Sequence, residues 1–279
     1  MVRQIMTAIL FAACSFMLTG CEQKEDIAAK PEIAVANSYL KAVIEDLCGN
    51  QQQILSLVPP GMCPGHFDIS PSQVNQLCNC KVLFVFDFQR NIEKVIGRIK
   101  DKGLNISCVS LPEGMCIPDT YLSIVKQVVA ALSEQNPSQR DYYMARLAVI
   151  EDRMKELSRG LLERIEKSKL KNSNVIVSRH QVEFAQWLGV NPVSVFSGSD
   201  AMTPTQINHN MQEADRNTVE FVIANKQEGT EFAESFAEHL KTRFVVFSNF
   251  PDETTQEAQL PGFDALAHSN VNKLIEAFK

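Results

Sequence analysis

The sequence predicts an α/β protein of two lobes, each a roughly four-stranded parallel sheet with flanking helices, joined by one long helix. Three observations lead to this prediction. Short apolar segments of strand length alternate with amphipathic segments of helical periodicity, as in parallel α/β sheets. The alternation occurs on both sides of one long helical segment at 138–170. The chain has 279 residues, 45% of them hydrophobic, which is enough for two domains of ordinary size.

Residues 1–20 are predicted to be a secretory signal peptide, because Arg3 precedes an apolar run too short to span a membrane. The run ends in Leu-Thr-Gly-Cys, which resembles a bacterial lipobox, so Cys21 is expected to carry a lipid and 21–31 to form a tether. A plain signal peptide with an incidental cysteine is the alternative. We therefore expect an extracytoplasmic, membrane-anchored lipoprotein, in the periplasm or at the cell surface.

Residues 32–136 are predicted to form the amino-terminal lobe. The segment KVLFVF at 81–86 is a continuous apolar run, as expected of a strand buried on both faces of a parallel sheet. Ser-Pro-Ser at 70–72 predicts a helix start. The expected strands lie at 33–37, 54–58, 81–86 and 105–109, and the expected helices at 40–47, 70–77, 91–100 and 121–132.

Residues 137–171 are predicted to contain the linking helix, which spans roughly 50 Å at 1.5 Å per residue. Its length favours a strut between two lobes over a helix in either core. Ser138 is expected to cap its first turn, and a core helix broken near Gly160 is the alternative. Steps of four and three place the following apolar residues on one face: Tyr143, Leu147, Ile150, Met154, Leu157 and Leu161.

Residues 172–279 are predicted to form the carboxy-terminal lobe, which repeats the same plan. The second helix is expected to be capped by Thr203 or Thr205. Open α/β sheets bind ligands at the carboxyl ends of their strands, so the two lobes should face these edges toward each other across a cleft. The expected strands lie at 174–178, 193–196, 219–224 and 243–247, and the helices at 182–188, 205–216, 231–240 and 265–278.

Several residues suited to metal binding follow these strands. Cys63 and His66 stand three apart in one loop, a spacing at which a thiolate and an imidazole hold one ion. His180 follows the first strand of the second lobe. Glu228 follows the third strand, as a metal ligand or as a helix cap, of which we favour the cap, and Asp252 follows the last. Two histidines from opposite lobes plus one or two further donors complete a four-coordinate site.

The cysteines favour an oxidising compartment. Outside the cytoplasm an even set in one lobe is typical of disulfides, so Cys63 is either a ligand or a disulfide partner. Cys108 and Cys116 bracket a short loop and make a reasonable pair. The other pairings stay open among the six cysteines between tether and long helix: Cys48, Cys63, Cys78, Cys80, Cys108 and Cys116.

The charge and the missing motifs exclude several functions. Removing residues 1–20 takes away one arginine and no acid, so the formal charge changes from −6 to −7. This charge disfavours a nucleic-acid partner. The sequence also lacks the Gly-x-Ser-x-Gly, phosphate-loop and dinucleotide-binding motifs. We therefore expect a monomeric binding protein and no enzyme.

These features together resemble the metal-binding lipoproteins of zinc and manganese ABC importers, the cluster A-I solute-binding proteins. The segments VPPG at 58–61 and HFDISPS at 66–72 are similar to the family's first-ligand loop, and VIVSRH at 175–180 is similar to its third-ligand strand. The resemblance implies capture of a divalent transition metal between the lobes and delivery to the membrane permease of an ABC importer.

The family uses three histidines and one carboxylate. His180 matches the third position, whereas His66 lies one residue after the usual first histidine, which falls on Gly65. The position of the family's second histidine falls near 115–119, where this sequence has no histidine. Either Cys116 substitutes for it, or this donor is missing.

The family's carboxylate falls near Asn249, with Asp252 the closest acid. Thiolate and imidazole donors favour zinc, and imidazoles with carboxylates suit manganese or iron. The His-rich loop common among the zinc proteins is absent from the sequence. We expect zinc first, with manganese or iron as alternatives.

Two other functions remain as alternatives. A binding protein for a chelated metal of the siderophore, haem or cobalamin type shares this plan, but its cleft needs aromatic and basic residues. The single tryptophan, Trp187, falls on a predicted helix. The second alternative is a thiol-disulfide lipoprotein in which Cys63, Cys78 and Cys80 exchange disulfides.

Overall fold

The structure is a computed structural model, and it describes residues 31–49, 52–59, 69–89, 103–198, 202–252 and 260–279. Pro31–Lys279 forms one compact unit. The predicted signal peptide, Cys21, Cys63, His66 and the helix predicted at 91–100 lie outside the described residues. Among the helices that are described, none combines the length and apolar character needed to cross a membrane.

The first lobe is built on a four-stranded parallel sheet of order β2-β1-β3-β4. All five residues of β3 are buried, as its continuous apolar sequence predicts. Ser70 begins the second helix through a capping box with Gln73, also as predicted. The strands are β1 (Ile33–Val35), β2 (Ile54–Ser56), β3 (Val82–Phe86) and β4 (Asn105–Val109), and the helices are α1 (Ser38–Cys48), α2 (Pro71–Leu77) and α3 (Pro118–Gln135).

The predicted long helix is α4 (Arg140–Ser168), with 29 residues. All six apolar residues predicted for its inner face are buried, together with Ile165. The helix continues through Gly160, which excludes a break there. The predicted cap at Ser138 is wrong, because Ser138 lies in a preceding 3₁₀ turn, Pro137–Gln139, and its Oγ bonds Oδ1 of Asn136 instead.

The second lobe repeats the strand order of the first, with the parallel sheet β6-β5-β7-β8. Thr203 caps its second helix through a capping box, as predicted. The strands are β5 (Asn174–Ser178), β6 (Asn191–Phe196), β7 (Phe221–Asn225) and β8 (Arg243–Phe247), and the helices are α5 (Val182–Trp187), α6 (Pro204–Arg216), α7 (Glu231–Leu240) and α8 (Gly262–Phe278).

One hydrophobic core runs through both lobes and includes the buried face of α4. At its centre Tyr121 of α3 stacks on Phe263 of α8 with ring centroids 4.1 Å apart, and Tyr39 of α1 contacts both rings. The interpretation of the long helix as a strut outside either core is therefore wrong. Its apolar face is buried because α1, α3 and α8 all pack against it.

Candidate functional site

A cleft of about 450 Å³ lies between the lobes, at the carboxyl edge of the second sheet. One wall is the loop 111–115, which follows β4 of the first lobe. The other wall comes from the second lobe and includes His180, Val195 and Asn249. The structure thus places His180 at an inter-lobe cleft, where the strand topology predicts ligand binding.

His180 and Glu228 meet at this edge. His180 lies in the 3₁₀ turn Arg179–Gln181 after β5, and its side chain is 61% exposed. Glu228 ends the 3₁₀ turn Lys226–Glu228 after β7, the strand that pairs with β5. Oε1 of Glu228 lies 3.5 Å from Nε2 of His180. Because neighbouring parallel strands end at one edge, two residues far apart in sequence become neighbours.

The carboxylate of Glu228 is fixed by its surroundings. Its Oε2 accepts hydrogen bonds from Oγ of Ser178 and, at 3.1 Å, from Nδ2 of Asn225. Gly198 lets the chain after β6 pass close to Glu228, since a Cβ at this position would lie only 3.3 Å from the Cβ of Glu228. The favoured role of Glu228 as a helix cap is wrong, because α7 begins after Thr230 with no side-chain cap.

Asp252, after β8, is paired with a lysine. Its Oδ2 accepts a hydrogen bond from Nζ of Lys226 at 2.8 Å. Burial lowers the pKa of the nearby Lys273, the charge of Lys226 lowers it further, and Asp252 opposes this by raising it. Asp252 therefore pairs with Lys226 and also offsets the charge of Lys273.

Cys116 is fully buried where the lobes meet. Its Sγ donates to the carbonyl oxygen of Ser248 at 3.1 Å and accepts from Nδ2 of Asn270 at 3.3 Å. Burial raises the pKa of Cys116 to about 12, against a smaller lowering by Asn270. The thiol is therefore protonated at neutral pH, and a metal ion bound there would have to displace this proton.

The predicted pairing of Cys108 with Cys116 is wrong, because both are free thiols. Cys108 is exposed on β4, an edge strand, whereas Cys116 points into the lobe junction. Cys48 and Cys80 are also free thiols, and burial raises the pKa of each to about 11. The predicted disulfides are thus absent among these four cysteines, and Cys63 lies outside the described residues.

Buried amides occupy the position expected for the family's carboxylate. Oδ1 of Asn249 accepts a hydrogen bond from Nε2 of Gln181 at 2.8 Å, and its Nδ2 donates to the carbonyl oxygen of His180 at 3.4 Å. Gln181 also donates to Oδ1 of Asn225 at 3.3 Å. This network fixes the turn that carries His180. Gln181 and Asn225 were not among the predicted site residues, although Asn225 ends an inner strand and Gln181 lies in the turn after one, where polar residues are candidates for a site.

Among the described residues, His180 and Glu228 are the two candidate metal ligands that lie side by side. Within it, no three histidine, cysteine, aspartate or glutamate side chains are placed to hold a metal ion. A four-coordinate ion at His180 and Glu228 would need further donors. The loop with Cys63 and His66, which follows β2, remains the predicted source of these donors.

The structure is that of a two-lobed α/β protein with a cleft between its lobes. The sequence profile of the family described as zinc-uptake complex component A, periplasmic (ZnuA) matches residues 33–277. The chain belongs to this family, and the resemblance predicted from the sequence is confirmed. The family is one of periplasmic transport components rather than enzymes. Comparison with curated protein sequences gives no match.

Several solved structures share the fold. A crystal structure of ZnuA has a TM-score of 0.71 at 15% identity, covering 88% of this chain and 98% of that one. A Mn-bound periplasmic metal binding protein from Candidatus Liberibacter asiaticus has a TM-score of 0.73 at 13% identity, covering 88% and 99%. The SBP FpvC from Pseudomonas aeruginosa, in complex with Ni²⁺, has a TM-score of 0.69 at 12% identity, covering 88% and 96%. The predicted two-lobed α/β fold is confirmed.

Proposed function

We propose that the protein captures a divalent transition metal ion in the cleft between its lobes and delivers it to the membrane permease of an ABC importer. Zinc is the first choice of ion, and manganese or iron are the alternatives. The observation that carries the proposal is the pairing of His180 with Glu228 at the cleft edge, in a chain of the zinc-uptake family.

The geometry of this pair suits a shared metal ion. Two donors bound to one tetrahedral ion at about 2.0–2.1 Å stand about 3.3 Å apart. Nε2 of His180 and Oε1 of Glu228 are 3.5 Å apart, so an ion bridging them needs only a small adjustment. Ser178 and Asn225 supply the outer hydrogen bonds that orient a ligating carboxylate.

The remaining donors in this proposal come from the first lobe. His66 and Cys63 follow β2 and would supply an imidazole and a thiolate from the opposite side of the cleft. Cys116 and Asp252 are assigned no bond to the ion. The thiol of Cys116 is hydrogen-bonded to Ser248 and Asn270 at the lobe junction, and the carboxylate of Asp252 is engaged by Lys226.

The attachment to the membrane is proposed from the sequence. A lipid on Cys21 would hold a monomer at the membrane surface, next to the permease, through the tether 21–31. The Leu-Thr-Gly-Cys segment and the family's periplasmic location support this arrangement.

The two alternative functions are less well supported. Trp187 stacks on Phe184 with centroids 5.8 Å apart and packs against the core, so it is not an aromatic wall for a chelated metal. Disulfide exchange needs a thiolate, and burial raises the pKa of Cys80 to about 11. Metal capture uses His180, which lines the cleft.

The melting temperature of the soluble form beginning at Glu22 tests the proposal. The chelator-stripped protein is titrated with zinc, manganese, ferrous iron, cobalt and nickel. Binding to the folded state alone stabilises it by about 2.7 kcal/mol at a hundredfold excess over the Kd. We expect a clear rise with one or more of these ions.

Three variants locate the site. His180→Ala should abolish the rise and Glu228→Gln should reduce it, because each removes a donor. His209→Ala, on the exposed face of α6, is the matched control and should keep the full rise. An unchanged rise in His180→Ala, or no rise with any ion in the parent protein, would refute the assignment.

A further inference from the structure

A buried group of charges joins the long helix to both lobes. Arg153, in the middle of α4, contacts both carboxylate oxygens of Asp46 in α1, with Nη1 2.9 Å from Oδ1. Nε of Arg153 lies 3.3 Å from Oδ1 of Asp264, in the first turn of α8. Asp46 and Asp264 are only 8% and 7% exposed. The guanidinium of Arg153 thus forms an ion pair with one carboxylate from each lobe.

The two carboxylates are bonded unequally. Asp46 binds Arg153 through both oxygens, and its Oδ2 also accepts a hydrogen bond from the hydroxyl of Tyr121 at 2.6 Å. Oδ1 of Asp264 is buried and has no hydrogen bond within the described residues. Burying a charged oxygen without such a bond is costly. Asp264 is therefore the member of the group that gains most from taking up a proton.

Several other charged groups on and near the elements that pack against α8 contact partners other than Asp264. Arg146 of α4 donates to the carbonyl oxygen of Asp46 and not to either carboxylate. Arg243 of β8 lies over the rings of Phe221 and Phe278. Further contacts of this kind among the described residues are Arg164 with His268 and Asn272, Lys41 with Glu45, and Lys226 with Asp252.

We propose that protonation of Asp264 controls how tightly the two lobes pack against each other at their junction. When Asp264 is protonated, the packed contact of α8 with α1 and α4 is favoured, and Arg153 pairs with Asp46 alone. When Asp264 is ionised, opening of this contact is favoured, because opening lets water reach the charged carboxylate. The junction is then tighter in acid and looser at neutral pH.

The direction of the effect follows from linkage. Burial raises the pKa of Asp264 to about 6; the charge of Arg153 opposes the shift and that of Asp46 adds to it. A group whose pKa is higher in the packed state than in the open state stabilises the packed state as pH falls. The gain is complete below the ordinary aspartate pKa of about 3.8 and is lost as pH rises through 6. Between pH 7.5 and pH 5 the packed state should gain about tenfold in population ratio.

The consequence for transport rests on the proposed function. The walls of the cleft belong to the two lobes, so a tighter junction would slow the exchange of a metal ion held between them. The control itself requires no metal and can be tested without one.

Amide hydrogen exchange of α1 and α8 in the metal-free protein measures opening of the junction. We expect protection factors, corrected for intrinsic exchange, to be about tenfold higher at pH 5 than at pH 7.5. Asp264→Asn should show the same high protection at both pH values. Glu276→Gln, which removes an exposed carboxylate from the same helix, should behave like the parent. Equal protection at both pH values in the parent, or a pH dependence that survives in Asp264→Asn, would overturn the proposal.

A second measurement needs no variant and covers the case in which Asp264→Asn does not fold. The ¹³C chemical shift of the Asp264 carboxyl group, followed by NMR in the unmodified protein, should titrate near pH 6. Titration near pH 4 would overturn the proposal, because the packed and open states would then bind the proton equally well. Both readouts are independent of metal binding, so their failure would leave the proposed capture function intact.

Discussion

Cys116, at the lobe junction, has a structural role, although its residue type suggests a metal ligand. Cys116 has the element and the position of a metal ligand, but its thiol is bonded to Ser248 and Asn270 on the opposite lobe. Full burial raises its pKa to about 12. Its thiol therefore links the loop before α3 to α8 and the loop after β8.

Thiol labelling tests this account of Cys116. In the folded protein at neutral pH, iodoacetamide should modify the exposed Cys108 and leave Cys116 unmodified, because alkylation requires an accessible thiolate. In urea both should react. Mass spectrometry of peptides after timed labelling measures the two rates, and similar rates in the folded protein would contradict the account.

Asn249 permits a second test at the residue scale. In Asn249→Asp the donor to the carbonyl oxygen of His180 is lost and a charge is buried among Gln181 and Cys116. We expect a loss of about 1–3 kcal/mol in the free energy of unfolding. Urea denaturation measures it, with the exposed Asn208→Asp as the control. Equal stability of the two variants would show that the amide is not required.

The sequence predicted some residue roles and not others, for a physical reason. The position of His180 at the cleft could be predicted because this residue follows a recognisable strand, which depends on local pattern alone; its role as a ligand stays a prediction. The pairing of Cys108 with Cys116 was wrong because closeness along the chain does not show that one side chain points outward and the other into the junction. The amides Gln181 and Asn225 gain their roles only once β5 and β7 lie side by side.

At the scale of elements, α4 carries the connection between the lobes. Its inner face follows a regular period, so all six residues that the sequence predicted for this face are buried, and a seventh, Ile165, extends it by one turn. The partners of Arg153 were not predictable in this way. Asp46 and Asp264 lie on helices from opposite ends of the chain, and only the packed structure brings them to one guanidinium.

Replacement of Arg153 tests how α4 holds the lobes. Arg153→Met leaves two buried carboxylates without their counter-ion, and we expect a loss of about 3–5 kcal/mol in the free energy of unfolding. Arg159→Met is the control on the same helix, since Arg159 is exposed and, among the described residues, pairs with Glu156 and Glu163. It should cause no measurable change. Equal midpoints of urea unfolding in the two variants would refute this role for Arg153.

At the scale of the whole molecule, the two lobes share one strand order, and the long helix lies in a core common to both. Strand and helix patterns are local, so the sequence predicted both sheets. It did not predict the shared core. The length of α4 indicates how far the helix extends, but it does not show which helices pack on its inner face. The structure places His180 next to Glu228. That these two residues bind a metal ion together with Cys63 and His66 stays a proposal.

Anomalous X-ray diffraction from crystals grown with zinc tests the central claim most directly. Data collected on both sides of the zinc absorption edge locate the ion without any assumption about its ligands. The account predicts one strong peak in the cleft, about 2.0–2.1 Å from Nε2 of His180, with Glu228 as a second ligand. A strong peak remote from His180, or no peak in the cleft at saturating zinc, would contradict the account.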